Sequence, residues 1–296
     1  MTGWLIYDKC GAAYNRTYID FYIEEGRKLD IMVRLILVED LEIGIAKGEG
    51  YINHCGKQAV YPDFAICRTV DPLLSMQLEL LWIPVFNNAK VAKICNNKAR
   101  TYQYLSGAGI PMIDTRFCRN EKMEEEIRSL KEISVIKAVD GHGGSQVFLF
   151  PPQEETQEQD IPEEETYLQD ILAALGTSDV VIQPLVGRRH QDLRVYVIGK
   201  EIIACVLRTA REGFKSNFSL GGQVCLYELT REERALAEKI IDRFDFGLVG
   251  IDFIVDDDGS LLFNEIEDVV GSRMLYQCSD VNIVKLYLEF IRNKLK

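Results

Sequence analysis

The sequence predicts a mixed α/β (α+β) protein of two or three lobes, and three observations carry that prediction. A chain of 296 residues exceeds one typical small domain. Residues 1–90 alternate strand-type and helix-type runs, which argues for a small parallel α/β lobe. Later stretches pair apolar strand-type runs around polar or glycine turns, which argues for antiparallel hairpins.

Residues 3–9 read as the first strand and 14–29 as a helix, with Ile19, Tyr22, Ile23 and Leu29 at roughly helical spacing. Strands follow over 31–40 and 59–68, the second ending at Arg68. Asp71-Pro72 starts a helix that Pro84 ends. Asn96 or Asn97 caps a helix reaching Leu105, and Asn120 caps another over 121–131. Strands at 133–139 and 146–150 flank the glycine loop Asp140–Ser145. Residues 151–165, rich in Glu, Gln and Pro, read as a solvated loop. A helix over 166–175 and a strand over 179–185 come next, then a hairpin of 193–198 and 201–208 turning on Gly199-Lys200. Asp192, Arg194 and Arg208 are its polar anchors at strand ends. Residues 211–222 form a polar, glycine-bearing loop of the length that often serves function. Thr230-x-x-Glu233 is a capping box for the following helix, and Asp280 caps the last one.

Composition removes several function classes. No apolar run is long enough to span a bilayer, so no membrane partner is expected. The N-terminus does not read as a secretory signal. The eight scattered cysteines show no CxxC pair and mostly sit in apolar surroundings, which suits reduced thiols in the cytoplasm. The three histidines are far apart and have no zinc-type spacing. Net charge is −12, and residues 138–187 hold ten acids with no Lys or Arg. That balance argues against nucleic acid as a partner.

Two stretches carry chemistry. In 247–271, two strand-type runs surround Asp256-Asp257-Asp258-Gly259 and bear Asp252, Glu265 and Glu267. Glu265 and Glu267 share a strand face, and simple pairing brings Asp252 close to them. Such clustered carboxylates either hold a hard cation such as Mg²⁺ or merely cap a strand and face solvent. In 135–145, Lys137 lies in an apolar strand that runs into Gly141-His142-Gly143-Gly144-Ser145. A lysine so placed needs an anion or an outlet to water, and a phosphate between it and the glycine N–H groups would satisfy both. The GxxxxGK[ST] order of a P-loop is absent. Lys98 falls in a first helical turn, where a cation opposes the helix dipole, so its placement points to another use.

In order, Asn97-Lys98-Ala99-Arg100, Val135–Lys137 with 140–145, Asp192–Val195, Arg211–Gly213 with Ser216-Asn217, and Gly250–Asp252 with Asn264–Glu267 and Gly271 resemble the ATP-grasp superfamily over roughly 88–275. The match is nearest its RimK-like carboxylate–amine ligases, and it extends to glutathione synthetase and LysX-type ligases. This resemblance implies a pre-ATP-grasp, Rossmann-like lobe at 1–88, a central lobe with a glycine-rich lid at 89–185, and a metal-bearing lobe at 186–296. It implies ATP phosphates on Lys98 and Lys137 under the lid Gly141, His142, Gly143, Gly144 and Ser145. The hinge Gln183 to Val186, including Leu185, would hold adenine, and Asp192 would belong to the same nucleotide site. Arg208, Asn217 and Arg194 would act at the transferring phosphoryl group, and Asp252, Glu265 and Glu267 would hold two Mg²⁺, with Mn²⁺ as a substitute. Arg68, Arg211 and Arg273 are candidates for gripping a substrate. The implied reaction joins a small-molecule or peptide carboxylate to an amine through an acylphosphate, releasing ADP and phosphate. A non-catalytic ATP-binding module on the same scaffold, and phosphoryl transfer without ligation, are the alternatives, and a homo-oligomer is left open. Two departures stand out: Glu265-x-Glu267 replaces the usual Glu-x-Asn, and Gln183-Pro184 replaces a hinge glutamate.

Overall fold

A computed structural model describes residues 1–144, 146–151, 164–210 and 223–296. The first segment comprises β1 (Thr2–Tyr7), α1 (Lys9–Tyr14), α2 (Arg16–Lys28) and β2 (Met32–Leu37). Asp8 starts α1 by accepting from Gly11 N at 2.7 Å. The helix expected over 14–29 forms as α2, and Asn15, whose φ of −105° leaves the helical range, separates it from α1. β3 (Leu41–Ala46), β4 (Glu49–His54) and β5 (Lys57–Gln58) make a small antiparallel sheet absent from the sequence reading. Its turns at Lys47-Gly48 and Cys55-Gly56 have positive φ at both residues, the signature of two-residue hairpins. β6 (Phe64–Cys67), α3 (Pro72–Leu80) and β7 (Val85–Phe86) complete a parallel sheet of order β2-β1-β6-β7. Asp71 caps α3 through Leu74 N at 2.9 Å, and Pro72 begins it, as expected.

The middle segment comprises α4 (Ala89–Cys95), α5 (Lys98–Leu105), β8 (Arg116–Cys118), α6 (Met123–Arg128), β9 (Ser134–Ala138), β10 (Val147–Phe150), α7 (Glu164–Leu175) and β11 (Val180–Pro184). Its strands pair antiparallel in the order β10-β9-β11-β8. Asn97 caps α5 as expected, but Asn120 does not cap α6. Its amide instead donates to the carbonyls of Gly176 and Ser178. Ile127, Ile136, Phe150, Ile171 and Val180 form a core private to this segment.

The last segment comprises β12 (Gln191–Ile198), β13 (Glu201–Thr209), β14 (Gln223–Leu226), α8 (Arg231–Ile241), β15 (Leu248–Val255), β16 (Leu261–Glu267), α9 (Arg273–Cys278) and α10 (Ile283–Lys294). The capping box at Thr230 is present, whereas Asn282, not Asp280, caps α10. The sheet is antiparallel, ordered β14-β13-β12-β15-β16. Val195, Val197, Ile251 and Phe253 point to one face and pack with Ile240 of α8 and Tyr102 and Leu105 of α5. The opposite face divides along its length. Tyr196 and Ile198 join Leu5, Tyr22 and Phe64 in a core shared with the first sheet. Asp192 and Arg194, further along the same strand face, are left to polar company.

Among the described residues no helix is long and apolar enough to cross a membrane. All eight cysteines are free; Cys67, Cys95, Cys118 and Cys205 are buried and Cys278 packs against a core, so most sit in apolar surroundings as expected.

Candidate active site

The polar end of the five-stranded sheet forms the floor of a cleft. Register places Arg194 of β12 opposite Asp252 of β15, and Asp192 opposite Arg208 of β13. Asp192 and Arg208 are each one residue from a strand end, as expected, whereas Arg194 is strand-interior. Asp252, 1% exposed, accepts from Arg194 Nε at 2.7 Å and Nη2 at 2.6 Å, and from Arg208 Nη2 at 2.8 Å. Arg208 Nε also meets Asp192 Oδ1, and Arg194 Nη1 meets Glu267 Oε2. Burial alone would raise the Asp252 carboxyl, but the two guanidiniums outweigh it and hold it below the usual range. For Asp192 and Glu267 burial dominates and lifts both, against the pull of Arg208 and Arg194 respectively. Gly250 leaves room for this arrangement: a Cβ there would stand 2.8 Å from Val270 Cγ2 and 3.2 Å from Arg194 Cδ.

The expected hairpin forms, with Asp252 opposite Glu265 and Gly250 opposite Glu267. It is not a plain ladder. The register shifts after Asp252, because Phe253 pairs with Phe263 and Asn264 is left as the extra residue. Such a bulge re-aims side chains. Asn264, which strict alternation would send to the face opposite Glu265, lines the cleft beside it and accepts from Lys137 Nζ at 2.9 Å. Asp252, Glu265 and Glu267 do not converge on each other as the simple register suggested. The Arg194 guanidinium lies between Asp252 and Glu267, and Lys98 Nζ sits 3.3 Å from Glu265 Oε2. Among the described residues, the trio of metal-type donors within 4.8 Å of one another is Asp40, His54 and Cys55 on the small sheet.

Lys98 and Lys137 face this floor from the middle segment. Lys98 is the first residue of α5; its backbone N bonds Val139 O at 2.7 Å and its Nζ bonds Gly141 O at 2.6 Å. The unfavourable helix position therefore puts the ammonium against the glycine loop. Lys137, 8% exposed, is pushed down to about 8 by burial, with Glu265 and Lys98 opposing one another as its charged neighbours. Burial, and then Lys98, also lower His142. Gly143 and Gly144 have φ of +66° and +76°, which glycine adopts without cost.

At the other end, Gln183, Pro184, Leu185 and Val186 line the cleft with Val135 and Ile113. Gln183 is 2% exposed. Its amide donates to Tyr102 Oη at 2.9 Å and Thr115 Oγ1 at 2.8 Å. Those hydroxyls give their own protons to the carbonyls of Phe263 and Ile113. Both must therefore accept from Gln183, which fixes the amide orientation and leaves Oε1 buried with no partner. Tyr102, Thr115 and Asn264 were missed in the sequence because each acts through a partner distant along the chain.

The cleft gathers Lys98, Lys137, Gly141, Gly143, Gly144, Gln183, Leu185, Val186, Asp192, Arg194, Glu265 and Glu267. Arg208 and Asp252 lie beneath them in the buried cluster. Arg68 and Arg273 stand apart, at the loop following β16: Arg68 Nη2 donates to Val270 O at 2.9 Å, and Arg273 Nη1 to Tyr14 Oη at 2.6 Å. Ser145, Arg211 and Asn217 lie outside the described residues.

Comparison with known proteins agrees with this geometry. Residues 95–291 match the model of the RimK-like ATP-grasp domain. The chain is 28% identical over 288 residues to N-acetylaspartylglutamate synthase A of Homo sapiens, covering 90% of this chain and 69% of that one. It is 25% identical over 282 residues to a probable alpha-L-glutamate ligase of Vibrio atlanticus, covering 92% and 88%. The solved structure of a RimK domain ATP-grasp protein from Sphaerobacter thermophilus superposes with a TM-score of 0.72 at 20% identity, over 98% of this chain and 99% of that one. The chain belongs to the RimK-like ATP-grasp family and is an ATP-dependent ligase that forms amide bonds on amino-acid or peptide-like substrates.

Proposed function

We propose that this ligase activates a substrate carboxylate as an acylphosphate and transfers the acyl group to the amine of glutamate. The observation that carries the nucleotide reading is the polarity of the cleft: two lysines at one end, and at the other the unpartnered acceptor Gln183 Oε1. The first suits phosphates. The second lacks the donor that the exocyclic amino group of adenine supplies. Hinge backbone groups at Leu185 and Val186 and the carboxylate of Asp192 complete the nucleotide site.

The residues present also fit Mg²⁺. Glu267 Oε2 is buried with Arg194 Nη1 as its charged neighbour, and carboxylate oxygens keep more lone-pair sites than their arginines use. Asp252, Glu265 and Glu267 would hold two ions, with Mn²⁺ as a substitute. Bound metal supplies charge neutralisation at the phosphates. The remainder falls to the chain itself. Lys98 and Lys137 hold phosphate oxygens, and the 141–145 loop covers them. Arg208, Arg194 and Asn217 attract the charge that develops as a carboxylate oxygen attacks the γ-phosphorus and ADP leaves. The amine nitrogen then attacks the acyl carbon, phosphate departs, and the nitrogen releases a proton. This chemistry needs positioning and fixed charge more than a strong base.

The names of the relatives support glutamate as the amine. Units at 1–88, 89–185 and 186–296 are the corresponding lobes, and a cytoplasmic setting suits eight free thiols. The mechanism is tested by running turnover with an ¹⁸O-labelled acid substrate. One label should appear in the released phosphate for each amide formed; unlabelled phosphate would exclude the acylphosphate.

A further inference from the structure

We infer that Arg68 is a substrate-carboxylate anchor: it binds a carboxylate that the reaction does not consume, that of the amino acid supplying the amine. The inference rests on the ligase reading above and specifies where that substrate is held.

Arg68 follows β6 at the C-terminal end of the parallel sheet and is partly buried. Its contacts are the Tyr18 ring, 5.5 Å from the guanidinium carbon, the Tyr7 hydroxyl at 3.4 Å from Nε, and the Val270 carbonyl at 2.9 Å from Nη2. Among the described residues no carboxylate pairs with it. An acid within its electrostatic reach, Asp268, is already held by Asn87 at Oδ1 and by Asn96 at Oδ2. A guanidinium has five N–H donors, and Nη1 makes no hydrogen bond to a described residue. A partly desolvated cation with unused donors and no carboxylate paired to it among the described residues favours an incoming anion, and the planar fork of arginine matches a carboxylate.

Its position fits the reaction. Val270 follows Glu267 by three residues, so at most roughly 10 Å of extended chain separates them. An amino acid can bridge much of that gap with its amine towards the reaction centre. The loop between is pinned to both lobes: Tyr196 Oη donates to Gly271 O at 2.9 Å, and Tyr18 Oη meets Ser272 Oγ at 2.8 Å. A carboxylate on Arg68 would therefore sit at a fixed distance from the floor. An amine-donating amino acid always retains its α-carboxylate, and glutamate retains its side-chain carboxylate as well. The acid substrate could present a second carboxylate too, so the test separates the two sources.

The experiment measures ADP release by the whole protein and by Arg68→Met, varying glutamate, its α-carboxamide and its side-chain carboxamide at saturating acid, then varying the acid at saturating glutamate. For the wild type, one carboxamide should raise KM about 10- to 100-fold, the scale of a lost charged hydrogen bond. Arg68→Met should raise the KM for glutamate by a similar factor, lose the preference for carboxylate over carboxamide, and leave the KM for ATP within about twofold. Arg68→Lys should recover part of the preference. A change confined to the acid's KM would assign the anchor to the other substrate and overturn the inference as stated. Unchanged preference in Arg68→Met would also overturn it, while continued ADP release would leave the ligase reading intact. If Arg68→Met fails to fold, the wild-type carboxamide series and Arg68→Lys decide. Absence of ADP release from the wild type with every substrate pair would defeat the ligase reading, and this inference with it.

Discussion

Arg194 and Arg208 differ from Arg68 in one respect that organises the molecule. The first two are buried and matched by Asp192, Asp252 and Glu267 across adjacent strands. The third is partly buried among tyrosines and a carbonyl, with no acid paired to it among the described residues. Charges matched within the protein make a rigid electrostatic floor. A cation with no acid paired to it among the described residues, Arg68, and an acceptor with no hydrogen bond, Gln183 Oε1, mark where ligands bring the missing partner.

The largest effect should come from breaking the matched region. Asp252→Asn leaves two buried guanidiniums short of their shared counter-charge. Loss of one partner of a buried pair costs about 3–5 kcal/mol. Urea denaturation should show a destabilisation of that order together with near-complete loss of turnover; a variant as stable as wild type would mean that the arginines draw their balance from elsewhere.

Lys137→Met should separate function from stability. Removing a fixed cation from the phosphate end should lower turnover roughly 10²- to 10³-fold. Stability at neutral pH should hold or rise, because the buried ammonium is costly. The sign follows from linkage. Burial lowers Lys137 to about 8, so between that pH and the ordinary lysine range the unfolded chain binds the proton more tightly. Wild-type stability should gain from this group as pH rises through that window, and Lys137→Met should lose the gain. ATP affinity of the wild type should weaken above about pH 8, where the ammonium facing Glu265 and Lys98 loses its charge. Calorimetric titration across pH 7–9.5 reads this directly; a flat profile matching that of the Met variant would remove Lys137 from the phosphate site.

Gln183→Leu should weaken ATP binding about tenfold, the scale of a hydrogen bond in a buried site, and narrow the preference for ATP over GTP. An unchanged ATP/GTP ratio would break the link between the orphan acceptor and the base. Smallest of all, Arg273→Ala removes an exposed guanidinium stacked on Tyr14 at 4.4 Å, worth about 0.5–1 kcal/mol. An unchanged KM for the acid substrate would clear Arg273 of a gripping role and sharpen the contrast with Arg68.

Much of this site was legible in the sequence because its parts break local rules. A lysine in a first helical turn, a lysine in an apolar strand before glycines, and acids in apolar strands all invite a ligand. The less legible parts depend on tertiary register. The bulge that turns Asn264 towards Lys137 cannot be read from alternation, and alternation also hid the arginine that lies between Asp252 and Glu267. Gln183 gains its orphan acceptor only because Tyr102 and Thr115 have spent their protons elsewhere. The small sheet β3-β4-β5 was missed although its X-Gly turns were visible. Helix α4 was missed although Asn88 caps it through Val91 N at 2.9 Å.

The most direct test of the central claim is the stoichiometry of ADP and amide. The whole protein is incubated with ATP, Mg²⁺, glutamate and a panel of carboxylic acids, and both products are counted. At least one acid should give ADP and a new amide in equal amounts, with neither formed when glutamate is left out. ATP bound tightly with no ADP from any pair, or ADP released without amide, would contradict it.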